Sequence, residues 1–174
     1  MGKTITVFGS SKPVAGDGLY LTGYELGTKL AKNGFDVCTG GFNGIMEAVS
    51  KGAAENGGKA IGVTVDTWGR VPNRYLTEEI KCNSLFERVY KLIELGDGFV
   101  VLQGGTGTLL ELSAVWELLN KNLIRRKPVA CYSSMWQEIV KVINLQMEKE
   151  GSDTEIVRAF ESIDEIVNYL KSEL

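Results

Sequence analysis

A chain of 174 residues with 44% hydrophobic and 24% charged side chains can bury one sizeable core and suits a single domain spanning 1–174. A formal net charge of -3 without a long Lys/Arg run argues against nucleic acid as the main partner, and no apolar run approaches the roughly 20 residues of a membrane helix. Histidine is absent, which excludes the Ser-His-Asp relay and the commonest metal ligand together, so any catalysis must draw on carboxylates, Lys, Arg, Tyr, hydroxyls or backbone amides.

The chain enters its first strand, Thr4 to Phe8, directly from Gly2-Lys3 with no signal-peptide pattern, and a cytoplasmic address is the expectation. That strand ends at Gly9-Ser10-Ser11. Helical periodicity follows from Leu19 to Asn33, stopped by Gly34, and a second strand over Phe35 to Thr39 runs into Gly40-Gly41-Phe42-Asn43-Gly44. A helix over Ile45 to Asn56, the stop Gly57-Gly58 and a strand over Ala60 to Val65 come next. An irregular stretch around Trp68, Pro72 and Asn73 then has the composition of a flap. The pattern resumes with a helix from Leu85 to Leu95, a strand at Phe99, a helix from Leu109 to Asn122 and a strand from Pro128 to Tyr132. Two helices around a short strand at Val157 to Phe160 close the chain. Alternating strands and helices predict an α/β fold, a mainly parallel sheet covered by helices on both faces. Cys38, Cys82 and Cys131 are odd in number, far apart and without metal-ligand spacing, so they read as buried thiols, and no metal site is expected.

Three glycine or serine turns, Gly9 to Ser11, Gly40 to Gly44 and Gly104 to Thr108, therefore fall at the carboxyl ends of strands, where open parallel sheets hold their ligands. The last is the most informative. A strand ending in Val100-Val101-Leu102 meets Gly104-Gly105-Thr106-Gly107-Thr108 and opens a helix, and free amides at a helix start favour an anion such as phosphate. Neither the Walker spacing nor GxGxxG is present, so ATP hydrolysis and ordinary NAD binding are not indicated.

Two charged residues carry two readings each. Thr108-Leu109-Leu110-Glu111 fits a capping box, yet the same geometry sets the Glu111 carboxylate beside a phosphate-sized crevice, where it can stabilise a cationic sugar or orient water. Arg88 falls on a helical arc with Leu85, Phe86, Val89, Leu92, Ile93 and Leu95. A guanidinium there needs a carboxylate or phosphate partner, in the crevice or across an oligomer interface, or else snorkels to water. Glu47, in the first turn after the second glycine turn, reads either as a ribose-hydroxyl acceptor or as a carboxylate favouring the helix dipole. Val115, Trp116, Leu118 and Leu119 read as core or as a dimer surface.

The run Gly104-Gly105-Thr106-Gly107-Thr108-Leu109-Leu110-Glu111 resembles the Pro-Gly-Gly-x-Gly-Thr-x-x-Glu signature of the LONELY GUY (LOG) family. Further matches at Val7 to Ser11, Gly40 to Ala48, Gly57-Gly58 and Ile61 to Val63 extend the likeness over nearly the whole chain. The resemblance implies a single-domain Rossmann-like three-layer fold, a homodimer or higher homo-oligomer, and hydrolysis of the N-glycosidic bond of a nucleoside 5'-monophosphate to free base and ribose 5-phosphate. By the same resemblance Glu111 and Arg88 are catalytic and no cofactor is needed. Gly9, Ser10, Gly40, Gly41, Glu47, Gly104, Gly105, Thr106, Gly107 and Thr108 would bind phosphate or nucleotide. Gln103 stands where the signature has proline, Arg88 alone is kept from the family's Met-His-x-Arg-Lys segment, and Glu47 stands where plant-hormone-activating members often have glycine. The Gly-Ile-Met-Glu-Ala form looks closer to bacterial nucleotide-hydrolase relatives and to molybdenum-cofactor carriers, so a non-catalytic nucleotide or molybdenum-cofactor carrier is the alternative.

Overall fold

The computed structural model describes residues 2–174, with the backbone alone at Trp68. In chain order the elements are β1 (Thr4–Phe8), α1 (Gly18–Lys32), β2 (Asp36–Thr39), α2 (Ile45–Ala54), β3 (Ala60–Val65), a single 3-10 turn (Asp66–Trp68), β4 (Glu78–Cys82), α3 (Leu85–Leu95), β5 (Gly98–Val101), α4 (Thr106–Asn120), β6 (Val129–Tyr132), α5 (Ser134–Lys149), β7 (Val157–Phe160) and α6 (Ile163–Glu173). The strands form one sheet in the order β4-β3-β2-β1-β5-β6-β7, and every described pair is parallel. The register is set from the centre outward, with Thr6 opposite Cys38 on β2 and opposite Phe99 on β5.

Because successive side chains alternate across a strand, each central strand feeds two cores. Phe8, Cys38, Val63, Phe99, Val101, Val129 and Cys131 pack with apolar residues of α3, α4 and α5. Ile5, Val7, Val37, Ala60, Val100 and Ala130 pack with α1, α2 and α6 on the other face. The expected three-layer α/β arrangement is therefore present. Helices α1 and α2 approach until a Cβ on Gly27 would lie 2.2 Å from the Val49 carbonyl oxygen and one on Gly52 2.2 Å from that of Tyr24. These helical glycines cost intrinsic propensity and are kept for backbone contact.

Three local expectations are corrected. The polar stretch after the 3-10 turn contains an edge strand, β4, which the alternation pattern does not announce because Glu78, Glu79 and Lys81 are exposed and only Cys82 is buried. Helix α4 begins at Thr106, not Leu109, with Gly105 as its N-cap and no side-chain cap; Thr108 lies inside the first turn, so the Thr108–Glu111 capping box does not form. On α3, Phe86 is 72% exposed and Leu85 is exposed too, so the inward face narrows to Arg88, Val89, Leu92 and Ile93, with Leu95 packed partly buried beside them. The Ser84-Leu85-Phe86-Glu87 run, which also has the capping-box pattern, forms half of one: the Ser84 hydroxyl accepts the Glu87 amide, while the Glu87 carboxylate takes the amide of Asn83. The complete capping box is at Ser162 and Glu165, before α6. All three cysteines are free and buried. No helix among the described residues is long and apolar enough to cross a membrane.

Candidate functional site

Chain order sends β2, β3 and β4 to one side of β1, and β5, β6 and β7 to the other. The strand order thus reverses between β1 and β5, and the loops leaving their carboxyl ends splay apart to open a crevice. Those loops are fastened to each other: Ser10 N–H donates to the Gln103 carbonyl at 3.0 Å, and Ile45 N–H, the start of α2, donates to the Ser10 carbonyl at 2.9 Å. Gly44, at φ 73, lets the second loop pass Ser10, since a Cβ there would sit 2.4 Å from the Ser10 carbonyl oxygen.

The crevice has a volume of about 380 Å³ and is lined by Gly9, Ser10, Ser11, Lys12, Phe42, Met46, Arg70, Leu85, Arg88, Gly105, Thr106, Gly107, Thr108, Leu110 and Glu111. One wall is the start of α4. Leu109 N–H donates to the carbonyl of the N-cap Gly105 at 3.0 Å, so the amides of Thr106, Gly107 and Thr108 precede the helical ladder, at the positive end of the helix dipole. A Cβ at Gly105 or Gly107 would meet no heavy atom within 4 Å, because both face open space.

Behind that helix start, between α3 and α4, lies a buried ion pair. Arg88, 5% exposed, donates from Nε to the Val63 carbonyl at 2.8 Å and from Nη1 to Glu111 Oε1 at 3.1 Å, while Nη2 lies 3.8 Å from Met46 Sδ. The guanidinium thus ties α3 to β3 and α4 and has the carboxylate partner its place on an apolar helix face demands. Glu111 is 8% exposed because it shares the inward face of α4 with Thr108, Leu112 and Val115. Its burial pushes its pKa above the usual carboxylate range, and the charge and hydrogen bond of Arg88 oppose that rise.

The predicted site residues do not all serve in the same way. Gly9, Ser10, Gly105, Thr106, Gly107, Thr108, Arg88 and Glu111 line the crevice together. Gly40 lies behind it, where a Cβ would fall 1.6 Å from Arg88 Nη2, so this glycine makes room for the guanidinium. Gly104 likewise makes room for the Thr108 hydroxyl, 2.1 Å from a notional Cβ. The carbonyl of Gly41, at φ 76, accepts from the amide and side chain of Asn73. Asn73 Nδ2 also bonds the Phe42 carbonyl, so the stretch read as a flap is pinned at Asn73 to the second glycine turn. The Trp68 side chain lies outside the described residues.

Glu47 lines an adjoining recess of about 660 Å³ with Lys12, Asn43, Arg70, Arg74 and the segment between them, and the two spaces share Ser11, Lys12, Phe42 and Arg70. Lys12 and Arg70 are crevice residues that sequence reasoning missed. Lys12 follows the first serine turn directly and was open to detection by position, whereas Arg70 arrives through the long connection after β3. Among the described residues no group of three or more Cys, Asp or Glu side chains is arranged to hold a metal ion.

A model of the SLOG cluster4 family matches residues 2–167 of this chain. The chain is similar to a cytokinin riboside 5'-monophosphate phosphoribohydrolase of Rhodococcoides fascians, with 29% identity over 117 residues covering 65% of this chain and 59% of that protein. It is similar also to a protein of the same name in Mycobacterium tuberculosis, with 30% identity over 116 residues covering 65% and 62% respectively. The matched part is thus less than two thirds of either relative's length. Among solved structures, the structural-genomics target TM1055 superposes with a TM-score of 0.76 at 26% identity, covering 98% of this chain and 99% of that one. The molybdenum cofactor carrier protein of Chlamydomonas reinhardtii gives a TM-score of 0.76 at 20% identity over 99% and 98%. The molybdenum cofactor binding protein of Rippkaea orientalis gives 0.77 at 22% over 99% and 97%. At these identities the last two show a shared fold.

Proposed function

Since the chain belongs to the SLOG cluster4 family, in keeping with its LOG resemblance, we propose that it hydrolyses the N-glycosidic bond of a nucleoside 5'-monophosphate. The observation that carries the proposal is the buried Arg88–Glu111 pair lining the same crevice as the free amides at the start of α4. Anion-binding amides and a carboxylate within a single small space suit the charge of a phosphoribosyl group, whose phosphate is negative and whose sugar becomes positive as the bond breaks. The relatives named as phosphoribohydrolases support the same reaction class.

In the proposed mechanism the amides of Thr106, Gly107 and Thr108, with the Thr108 hydroxyl, hold the 5'-phosphate at the α4 N-terminus. Lys12 and Arg70, both in the crevice lining, neutralise its outer charge. The ribose then lies against Glu111. As the bond between the anomeric carbon and the base nitrogen lengthens, positive charge develops on the sugar, and the Glu111 carboxylate stabilises it. Water attacks the anomeric carbon, giving its proton to Glu111, and the departing base takes a proton from solvent. Arg88 acts as a positioning residue: one carboxylate oxygen is held by Nη1, leaving the other for sugar or water. The base departs toward the recess bordered by Glu47.

The alternative, a carrier that grips a phosphate-bearing ligand at the same helix start without cleaving it, is separated by product formation. Purified protein incubated with nucleoside monophosphates releases free base and ribose 5-phosphate under the proposal, and binds without product under the alternative.

Two copies are proposed to pair through the faces of α4 and α5. Between these helices lies an apolar groove of about 330 Å³ lined in part by Leu109, Trp116, Ile139, Ile143 and Met147, with Val142 and Leu145 exposed nearby. The buried Trp116 Nε1 has no hydrogen-bond partner among the described residues.

A further inference from the structure

The recess beside the crevice has a chemistry of its own. Lys12, Arg70 and Arg74 border it, and Glu47 is the carboxylate in its wall. The Tyr20 hydroxyl donates to Glu47 Oε1 at 3.1 Å, the only hydrogen bond that carboxylate accepts among the described residues. Tyr20 projects from α1 and is buried. Burial first, and the neighbouring Glu47 charge second, push its phenol up to about 12, so it stays a donor and fixes one carboxylate oxygen. Oε1 keeps a second lone pair and the other oxygen is unengaged among the described residues, so both can face a ligand. A carboxylate serving only the dipole of α2 has no need of such a tether.

We infer that this recess reads a planar ring by an edge of adjacent N–H donors, the 2-amino-4-oxopyrimidine edge shared by guanine and pterins, with Glu47 as acceptor and Tyr20 holding Glu47 in register. The inference rests on the nucleotide reading above. A carboxylate is acceptor-only and matches two neighbouring N–H groups with its two oxygens. Adenine presents an unprotonated ring nitrogen next to its amino group, and that lone pair would face Glu47 unfavourably. The keto oxygen of the guanine-type ring instead meets Arg74, the cation that lines the recess and not the crevice. An apolar substituent on an adenine amino group would strip water from Arg74 without replacing its hydrogen bonds. Glu47 is thus a specificity residue, and Tyr20 a positioning residue acting through it.

The test measures kcat/KM of the full chain for GMP, IMP and AMP, and calorimetric affinity for these three and for 6-hydroxymethylpterin phosphate, with Glu47→Gln and Tyr20→Phe alongside. The expected result is GMP over AMP by about tenfold or more, with IMP, which lacks the amino donor, between them. Glu47→Gln is expected to lose about tenfold on GMP and to move AMP by less than about threefold, while Tyr20→Phe raises KM for GMP at near-constant kcat. Tighter binding of GMP assigns the recess to guanine, and tighter binding of the pterin phosphate assigns it to pterins. AMP handled as well as GMP and the pterin, or Glu47→Gln weakening all ligands alike, overturns the inference and leaves nucleotide hydrolysis standing. If nothing is cleaved but the GMP-to-AMP affinity ratio still collapses in Glu47→Gln, the hydrolase reading fails and the edge recognition holds. Absence of binding by all four ligands overturns both.

Discussion

Arg88 and Glu111 meet at 3.1 Å with their side chains almost wholly out of water, and that contact makes each dependent on the other. Removing the charge of Glu111 while keeping its shape isolates its chemistry. Glu111→Gln is expected to lower kcat by ~10²–10⁴-fold with a small change in KM, read in steady-state kinetics. The pH dependence follows from the burial that raises the Glu111 pKa and from Arg88, which opposes the rise. The ionised carboxylate is the working form, so activity falls as pH drops through that raised value. Deleting the guanidinium removes the opposing influence and raises the Glu111 pKa further. The acid limb of kcat/KM in Arg88→Gln must therefore move to higher pH; a move to lower pH contradicts the assignment. The same variant leaves a desolvated carboxylate unpaired and is expected to cost ~3 kcal/mol in urea unfolding.

At the scale of elements, two glycines that look alike in the sequence separate cleanly. Gly40 backs onto Arg88 Nη2, so Gly40→Ala must push the guanidinium aside, at ~1–3 kcal/mol of stability, and activity should fall with it. Gly107 faces the open crevice inside the first turn of α4. Gly107→Ala should gain up to ~1 kcal/mol from helix propensity while its methyl group intrudes on the phosphate, raising Tm as affinity falls. A loss of both stability and affinity would show that Gly107 serves the fold. The sequence makes the central strands and the three turns legible because their apolar runs and glycine punctuation are local. Edge strand β4 escapes detection because Glu78, Glu79 and Lys81 leave it without alternation. The start of α4 is misread because a capping-box pattern at Thr108 competes with a glycine N-cap three residues earlier. The Arg88–Glu111 contact is foreshadowed only as a demand for some anion, since side chains 23 positions apart meet through tertiary packing. Arg70 and the Tyr20–Glu47 bond have no local signal at all.

For the whole molecule, a net charge of -3 coexists with Lys12, Arg70 and Arg74 gathered at the opening of the site. Such local positive charge attracts phosphorylated ligands despite the overall sign, so ligand association should slow with rising salt, and less steeply in Lys12→Ala, as read by stopped-flow binding. The proposed pairing through α4 and α5 places Ile143 at the contact; Ile143→Glu should shift the mass in sedimentation equilibrium from dimer to monomer, and an unchanged mass removes that face from consideration. The central claim is that the crevice between β1 and β5 cleaves a nucleoside 5'-monophosphate with Glu111. Its most direct test is quantitation of free base and ribose 5-phosphate from purified wild-type protein and from Glu111→Gln supplied with a panel of nucleoside monophosphates. Stoichiometric release of both products by the wild type, with turnover reduced by about a hundredfold or more in the variant, is the predicted result. Ligand binding without products from the wild type, or undiminished turnover in the variant, contradicts it.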